Sequence, residues 1–326
     1  MTRDGPLTAR AARSSSHTSR RTTSTVGDLG WQRTAVVTLV GIALVWGVAF
    51  SVVKGVVASV APATLVTWRF SVGTLTLLVL RPRCLVGLSA ATWRRAAGLG
   101  CLLGTGFLVH TVGMHRSSVV SAAFLTGTVV IFAPLAARIG LGRAMTWATV
   151  VAVSLAAGGL ALITFGHVGS GLGDLLILSA AMLWGVHLVG LESWTRAPDV
   201  YPVAVIQLGV VSILAATVQL SIGGELGVPV NVRTLSGILG LGAVATGVTF
   251  LLLTWTQTRV DATTAAVILT LEPVFGAATA VSLGEHLSLR AAVGGAAVVV
   301  AGALVVVPRT RASSRDASPV RCPQSP

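Results

Sequence analysis

The chain has 326 residues, of which 53% are hydrophobic and only 10% are charged, whereas charged residues make up about a quarter of an ordinary soluble domain. A water-soluble fold is therefore excluded, because too much apolar surface would face water. The net charge of +13 does not indicate a nucleic-acid binder, because the basic residues lie in tails and short loops without interleaved aromatic residues. Cys84, Cys101 and Cys322 have no paired spacing, so neither a disulfide framework nor a zinc site is indicated.

The chain starts with a tail, residues 1–33, that is rich in Ser, Thr and Arg and poor in apolar residues. This tail lacks the apolar h-region of a signal peptide, and Thr22 follows Arg20-Arg21 where a twin-arginine signal would continue with apolar residues. A transit peptide is one alternative that the composition allows. We interpret the tail as a disordered basic cytoplasmic extension or an over-long gene start, and residues 308–326 as a second disordered cytoplasmic tail.

Ten apolar segments of roughly 17 to 21 residues follow, which is the length that crosses the hydrocarbon core of a bilayer. Helices are predicted rather than a barrel, because the apolar runs are continuous and do not alternate with polar residues. The ten predicted segments are 34–53, 62–80, 96–114, 118–137, 146–165, 173–191, 201–221, 235–255, 263–283 and 291–307.

Two groups of residues occur twice along these segments, and the second copy follows the first at a nearly constant offset. The first group is Trp46-Gly47, which recurs as Trp184-Gly185; the second is Arg116, Ser121-Ala122-Ala123 and Phe132, which recurs as Arg259, Thr264-Ala265-Ala266 and Phe275. Each copy contains five segments, and because five is odd, the second copy enters the bilayer from the opposite side. We therefore predict an all-α integral membrane protein of ten transmembrane helices, built as two inverted five-helix repeats over residues 34–165 and 171–307.

The positive charges predict the orientation of this bundle. With both termini in the cytoplasm, 18 Lys and Arg residues fall inside, and 4 fall outside or at the outer boundary. Without the long N-terminal tail the difference is still 12 against 4. Because short cytoplasmic loops are enriched in Lys and Arg, the sequence predicts a multi-pass protein of the cell membrane with both termini in the cytoplasm.

Four motifs occur in order along the segments: Trp46-Gly47-x2-Phe50-x3-Lys54, Arg69-Phe70, Ser121-Ala122-Ala123-Phe124-Leu125, and Leu271-Glu272-Pro273-Val274-Phe275 followed by Leu283-Gly284-Glu285. Together they resemble the EamA-type permeases of the drug/metabolite transporter (DMT) superfamily, and the resemblance covers about residues 36–307. It implies a ten-helix, two-repeat carrier of small metabolites, often an exporter. The first repeat departs from the family pattern at Leu141-Gly142-Arg143, where Gly-Glu is common, so a capping carboxylate is expected to be missing there.

Arg69 lies seven residues into the second segment, near the expected bilayer midplane. A charged side chain at that depth costs at least about 2.5–3.5 kcal/mol, so it should face the bundle interior and have a partner. It is a candidate substrate anchor or gating charge, because the guanidinium fork can bind both oxygens of a carboxylate. The alternative is a structural ion pair or a clamp on backbone carbonyls.

Glu272 lies at the centre of the ninth segment and is a candidate for exchanging a proton during transport. The alternative is a helix-packing carboxylate that is paired with Arg69 or with another donor. Pro273, the next residue, lacks a backbone N–H and should free the carbonyl of Leu269. A broken helix near the midplane is typical of a transporter site.

Matching positions of the two repeats supply further candidates for the transport pathway. Trp46 and Trp184 each precede a glycine and either form a cavity wall or simply pack. Gln207 follows Arg69 at the same offset that separates these two tryptophans, and it either binds substrate or bridges helices.

Two charged residues, Lys54 and Glu192, each follow one of these tryptophans by eight residues. In an inverted repeat they would lie at opposite membrane faces, where they are candidate gate charges. The alternative is a charge that snorkels from a helix end to the interface. His110 and His187 are expected to be hydrogen-bonded packing residues rather than a proton relay.

These observations predict a secondary-active transporter, a permease that exports a small metabolite or amino-acid-like compound by alternating access. The expected partners are a small-molecule substrate, a coupling proton and membrane lipid, with no cofactor, metal or nucleic acid. No phosphate-binding loop is present, so ATP hydrolysis is not expected. The alternatives are an integral-membrane lipid-modifying enzyme, for which no cluster of catalytic side chains is found, and a passive channel, which would typically show a ring of repeated polar groups.

Overall fold

The computed structural model describes residues 8–117, 122, 125–164, 171–194, 200–228, 231–282 and 289–306. Within these ranges it describes side chains from Trp31 onward, except at residues 163–164, 277, 280–282, 291 and 305–306. Within these ranges every regular element is a helix. The helices are α1 (Thr8–Val57), α2 (Pro62–Leu80), α3 (Ala90–Arg116), α4 (Val129–Leu141), α5 (Trp147–Thr164), α6 (Leu172–Trp194), α7 (Tyr201–Ser221), α8 (Val232–Thr256), α9 (Ala262–Leu269), α10 (Leu271–Ser282) and α11 (Leu289–Val306).

Local sequence signals explain several helix ends. Pro62 begins α2, where its fixed φ suits the first helical position. The Ser89 side chain caps α3 by accepting from the Thr92 N–H at 3.1 Å, and Asp261 caps α9 in the same way. Gly142 ends α4 with a φ of +64°, a left-handed conformation that favours glycine.

Each of the ten predicted segments overlaps a helix of the structure, and the all-helical class is confirmed for the described residues. Six helices are long and apolar enough to cross a membrane: Trp31–Val57, Pro62–Leu80, Ala90–Arg116, Leu172–Trp194, Tyr201–Ser221 and Val232–Thr256. Four shorter apolar helical stretches overlap the other segments: Leu125–Leu141, Trp147–Leu162, Ala262–Gly276 and Ala292–Leu304. The chain is therefore a multi-pass membrane protein, while the count of ten crossings stays a prediction.

Two of the predicted segments, the fourth and the ninth, are interrupted, one in each half. The breaks lie at Thr128 and at Thr270, where each hydroxyl donates to a carbonyl three residues earlier at 2.5 Å. A threonine that bonds its own backbone competes with the helical hydrogen-bond pattern. Pro273 falls in the first turn of α10 and has no N–H for the carbonyl of Leu269. The break at Thr270, within the turn before the proline, therefore lies where a proline at this position is expected to interrupt a helix.

The N-terminal part of α1 differs from the predicted disordered tail. The helix begins at Thr8, so the backbone of residues 8–33 is helical where the sequence predicts disorder. Extending an existing helix is far easier than starting one, and the apolar part, Trp31–Val57, supplies that start. Residues 1–7 and 308–326 lie outside the described residues.

We expect a variant that lacks residues 1–30 to insert into membranes and to transport as the full chain does. The apolar part of α1 begins at Trp31 and keeps its mean hydropathy of 2.5, so its partition into the bilayer should not change. Carbonate extraction of membranes and a transport assay at matched abundance measure both properties. Loss of insertion would show instead that the tail carries targeting information.

The two halves of the bundle contact each other through equivalent glycines. Gly47 on α1 leaves no room for a side chain, because a Cβ there would lie 2.6 Å from the carbonyl oxygen of Glu272. Its counterpart Gly185 on α6 meets α4 in the same way, where a Cβ would lie 2.8 Å from the Cβ of Phe132. Small residues that let helix backbones approach closely are typical of membrane bundles. These matched contacts support the two-copy interpretation of the sequence.

Candidate functional site

A central cavity lies between the two halves, and about 910 Å³ of space free of atoms lies within it and at its opening, solvent included. Both helix breaks border it, through Thr126, Gly127 and Val129 in the first half and Leu269, Thr270 and Glu272 in the second. Its walls are mostly apolar and aromatic, and its other lining residues are Trp46, Ala49, Phe50, Val53, Arg69, Leu103, Phe107, His110, Thr111, Met114, Trp184, His187, Leu188, Phe250, Leu253 and Ala266.

Arg69 is a buried cation that binds the backbone of α8. Its Nε donates to the Thr246 hydroxyl at 2.6 Å, and its Nη2 donates to the Ala245 carbonyl at 3.1 Å. The guanidinium carbon also lies 5.2 Å from the centre of the Phe107 ring, a distance that allows cation–π attraction. Arg69 thus binds one backbone carbonyl and one hydroxyl of α8, and its role as a substrate anchor or gating charge stays a prediction.

The two tryptophans of the repeats both line the cavity but differ in their bonds. The Trp46 Nε1 donates to the carbonyl of Ala245 at 3.0 Å and to the hydroxyl of Thr249 at 3.1 Å. The Trp184 Nε1 is buried, yet it has no hydrogen-bond partner among the described residues. A Cβ on Gly106 would lie only 2.5 Å from that nitrogen, so the N–H edge of Trp184 faces the backbone of α3.

Glu272 lies in the first turn of α10 and contributes to the cavity lining. The N-terminal end of a helix favours a negative charge, because its free N–H groups point toward it. Among the described residues, no hydrogen bond or ion pair joins the Glu272 side chain to another group, although Arg69 lies near enough to interact with its charge. Pro273 is buried and is not part of the lining.

Gln207 does not line the cavity and is fully buried between helices. Its Oε1 lies 3.0 Å from His187 Nε2, and its Nε2 donates to the Thr254 hydroxyl at 3.1 Å. It therefore bridges α6, α7 and α8, the second of the two alternatives raised from the sequence. In the first half, His110 Nε2 lies 2.9 Å from the hydroxyl of Thr126 next to the break before α4.

Lys54 and Glu192 lie outside the cavity lining and bind helix ends. The Lys54 Nζ donates to the carbonyls of Met114 and Ser117, both at 3.0 Å, at the C-terminal end of α3. The Glu192 carboxylate accepts from the backbone N–H of Ala262 at 3.0 Å, at the start of α9. The positive Lys54 thus binds the C-terminal end of a helix, which carries a partial negative charge. The negative Glu192 binds an N-terminal end, which carries a partial positive charge. Their role as gate charges stays a prediction.

Arg143, the residue that departs from the family pattern, forms an ion pair with Glu192. This ion pair joins the turn between α4 and α5 to the end of α6. The basic residue at position 143 therefore has a partner where the family commonly has a carboxylate. The counterpart in the second repeat, Gly284-Glu285, lies outside the described residues, as do Ser121, Ala123 and Phe124 of the third motif.

The residues that hold Arg69 and Trp46 in place were not predicted from the sequence. Thr246 and Thr249 belong to a stretch of α8 whose centre, Ala243–Val248, is a π-helix. Single turns of π-helix inside an α-helix are rare and occur frequently at functional sites. The pattern of apolar segments contains no signal for this feature, because a wider helical turn does not change composition or length.

The arrangement is suited to binding a small molecule of mixed polarity. The aromatic rings of Phe50, Phe107 and Phe250 supply apolar contact, while Glu272 supplies a carboxylate that no described residue binds. Arg69 adds a positive charge to the same cavity, although two of its N–H groups are already bound to α8. Mostly apolar pockets with a few placed polar groups are typical of small-molecule sites.

Comparison with known proteins identifies the family. The sequence profile of the EamA-like transporter family matches residues 33–165 and again residues 171–307. A curated protein of Archaeoglobus fulgidus, described as an uncharacterized transporter, is 27% identical over 234 residues, which is 72% of this chain and 73% of that protein. A solved crystal structure has a TM-score of 0.70 and 18% identity, covering 83% of this chain and 96% of its own.

The crystal structure supports the fold alone, since its identity to this chain is low. The profile matches both halves of the chain separately, as expected for two copies of one unit, and the matched residues make up most of its length. The chain is a membrane transporter and belongs to the EamA-like transporter family of the drug/metabolite transporter superfamily.

Proposed function

We propose that the chain is a secondary-active exporter that moves a small metabolite or amino-acid-like compound by alternating access. The observation that carries this proposal is the central cavity, which lies between two halves and is bordered by a broken helix from each. Discontinuous helices that meet at a midplane cavity are the usual substrate site of carriers with inverted repeats. Alternating access then consists of moving one half against the other around that site.

The proposed topology has ten membrane crossings with both termini in the cytoplasm of the cell membrane. The shorter helices are compatible with crossing: α5 and α11 have 18 residues each, which is about 27 Å of helix and close to the hydrocarbon thickness. Broken helices also occur within the membrane where the irregular backbone borders a cavity and does not face lipid.

The chemistry of the cavity supports a substrate that carries an amine and an apolar part. Glu272 is available for a cation, and the aromatic rings that line the same cavity add cation–π attraction for an ammonium group. A proton could occupy the same carboxylate when the substrate has left, which would couple the two movements. Coupling of this kind requires that proton and substrate bind the two conformations differently.

Two other functions fit these findings less well. A lipid-modifying enzyme is disfavoured, because the family and the curated relative point to a transporter. A passive channel would typically show a ring of repeated polar groups, whereas Arg69 lines the cavity here and its counterpart Gln207 does not. A channel would also show no faster uptake when substrate is present on the other side of the membrane.

Counterflow in vesicles tests the proposal. The purified chain is reconstituted and loaded with a metabolite extract of an overexpressing strain, and the uptake of labelled candidate compounds is measured with and without internal extract. A carrier accelerates uptake when unlabelled substrate is present on the other side, because the loaded form returns faster. Equal uptake with and without internal extract would favour a channel. If no candidate compound entered faster than it enters vesicles without protein, the proposed transport would be contradicted.

Cysteine labelling tests the orientation. We expect position 88 to be labelled only from the cytoplasmic side and position 225 only from outside, because Arg81, Arg83, Arg94 and Arg95 flank the first of them. The three native cysteines, Cys84, Cys101 and Cys322, are first replaced with Ser. Labelling of position 88 by an impermeant reagent added to intact cells, with position 225 protected, would reverse the proposed orientation.

A further inference from the structure

Equivalent contacts show how α3 and α8 correspond. A Cβ on Gly100 of α3 would lie 2.9 Å from the carbonyl oxygen of Gln207 on α7. A Cβ on Gly242 of α8 would lie 2.8 Å from the carbonyl oxygen of Arg69 on α2. Since Gln207 is the counterpart of Arg69, these two glycines occupy equivalent places in the two halves.

A second pair of glycines shows that α8 has one residue more than α3 between equivalent positions. In the first half, a Cβ on Gly104 of α3 would lie 3.3 Å from the Cα of Val211 on α7. In the second half, a Cβ on Gly247 of α8 would lie 3.0 Å from the carbonyl oxygen of Gly73 on α2. Val211 follows Gly73 at the same offset as Gln207 follows Arg69, so this pair is equivalent too. The two glycines are four residues apart in α3 and five apart in α8, so one residue is inserted between them in the second half.

The inserted residue coincides with the π-helical segment Ala243–Val248. A wider turn accommodates an extra residue without rotating the rest of the helix, and it releases a carbonyl from the regular pattern. The Ala245 carbonyl accepts from both Arg69 and Trp46. In the first half, where α3 is an uninterrupted α-helix, the equivalent Trp184 has no partner for its N–H among the described residues.

We propose that the inserted residue positions Arg69 so that Glu272 stays unpaired. The Ala245 carbonyl and the Thr246 hydroxyl hold the guanidinium against α8, and the Glu272 carboxylate is thereby left for a proton or a substrate cation. Arg69 and Glu272 line the same cavity, yet no ion pair joins them in the described part of the chain. This inference rests on the proposed function and adds Ala245 and Thr246 to it as positioning residues.

The other titratable groups near Glu272 have partners of their own or lie outside the cavity lining. His110 on α3 and His187 on α6 line the cavity and are each bonded to a neutral side chain. Of the helices packed against α10, α9 has no titratable side chain, and the charges on α1 and α11 with described side chains are Arg33, Lys54 and Arg290, all outside the lining. Arg69 is therefore the cation whose position decides the charge balance at Glu272.

The first test removes the inserted residue. Val244 is 51% exposed on the outer surface of α8, so its deletion removes little packing and should convert the segment into a regular helix like α3. We expect the deletion variant to fold and to elute as the wild type does in size-exclusion chromatography. Deletion of Leu102 in α3 is the matched control, since it should rotate the following residues by about 100° and abolish the folded protein.

The second test removes one bond to Arg69 and leaves the length of α8 unchanged. Thr246→Val keeps the shape of the side chain but removes the acceptor for Arg69 Nε, while Thr246→Ser keeps a hydroxyl. With Arg69 released toward Glu272, the carboxylate should bind protons less readily, because a nearby cation favours its charged form. Thr246→Ser should behave as the wild type, which separates positioning from a general packing effect.

Proton binding to Glu272 is the readout, and the proton alone is the probe. Infrared difference spectra of the purified protein follow the C=O band of the protonated carboxyl as pH changes, and Glu272→Gln identifies that band. We expect the midpoint to fall by about one pH unit or more in the Val244 deletion and in Thr246→Val. A wild-type midpoint in Thr246→Val, or loss of folded protein on deletion of Val244, would overturn the inference. Because no substrate is used, failure here is distinct from failure of the transport assay.

Discussion

Glu272→Gln should reduce proton-driven net transport nearly to the rate seen in vesicles without protein, while substrate exchange continues at a measurable rate. Glutamine keeps the size of the side chain but cannot bind or release a proton. Net transport requires the empty carrier to return with a proton in place of substrate, whereas exchange returns the carrier with substrate bound. Net uptake driven by a pH gradient and exchange without a gradient are measured in the same vesicles.

Arg69→Ala is the comparison for this experiment, because it should impair both modes of transport. Its loss removes the donor that now connects α2 to α8: the Ala245 carbonyl keeps its bond from Trp46, whereas the Thr246 hydroxyl loses the partner it has in the structure. Leaving a buried polar group unsatisfied costs about 1–3 kcal/mol, so the abundance of folded protein must be matched before rates are compared. Wild-type rates of net transport and exchange in both variants would exclude the proposed site and leave the two charges as packing elements.

Several residues of the candidate site could be selected from the sequence because membrane burial makes polar groups conspicuous. Arg69 and Glu272 are charges within apolar segments, and both line the cavity. Trp46 and Trp184 were selected through the repeat, and both line it too. Gln207 was selected by the same repeat, yet it bridges three helices outside the cavity. A matching position in an inverted repeat predicts an equivalent place in the fold but not an equivalent use.

Other features depend on geometry that one sequence does not display. The π-helical segment follows from one residue inserted between Gly242 and Gly247, which becomes visible only when the partners of these glycines are known. The helix break at Thr128 depends on which carbonyl the threonine hydroxyl binds, whereas the break at Thr270 has a sequence signal in Pro273. Threonine is common in apolar helices without breaking them, so its presence alone predicts no break.

The second large effect is expected at the glycines where the halves cross, and Gly47→Ala should greatly reduce the amount of folded protein. The added methyl group would lie 2.6 Å from the Glu272 carbonyl oxygen and 2.9 Å from the Gly276 nitrogen. Both are backbone atoms of α10, which cannot turn away as a flexible side chain could. Overpacking of this kind typically costs about 1–3 kcal/mol. Here it would also displace the turn that carries Glu272, so the transport rate of the protein that does fold should fall as well.

Gly41→Ala is the matched control on the same helix, because a Cβ at Gly41 meets no atom within 4 Å. Alanine is a better helix former than glycine, so this variant should fold at least as well as the wild type. Gly185→Ala should reduce folding as Gly47→Ala does, since its Cβ would lie 2.9 Å from the Ala133 backbone nitrogen of α4. Fluorescence-detected size-exclusion chromatography of all three variants measures the folded fraction. If Gly47→Ala and Gly41→Ala gave equal folded fractions, α1 and α10 would have to be farther apart than the glycine contact implies, and the cavity wall that they build would need a different description.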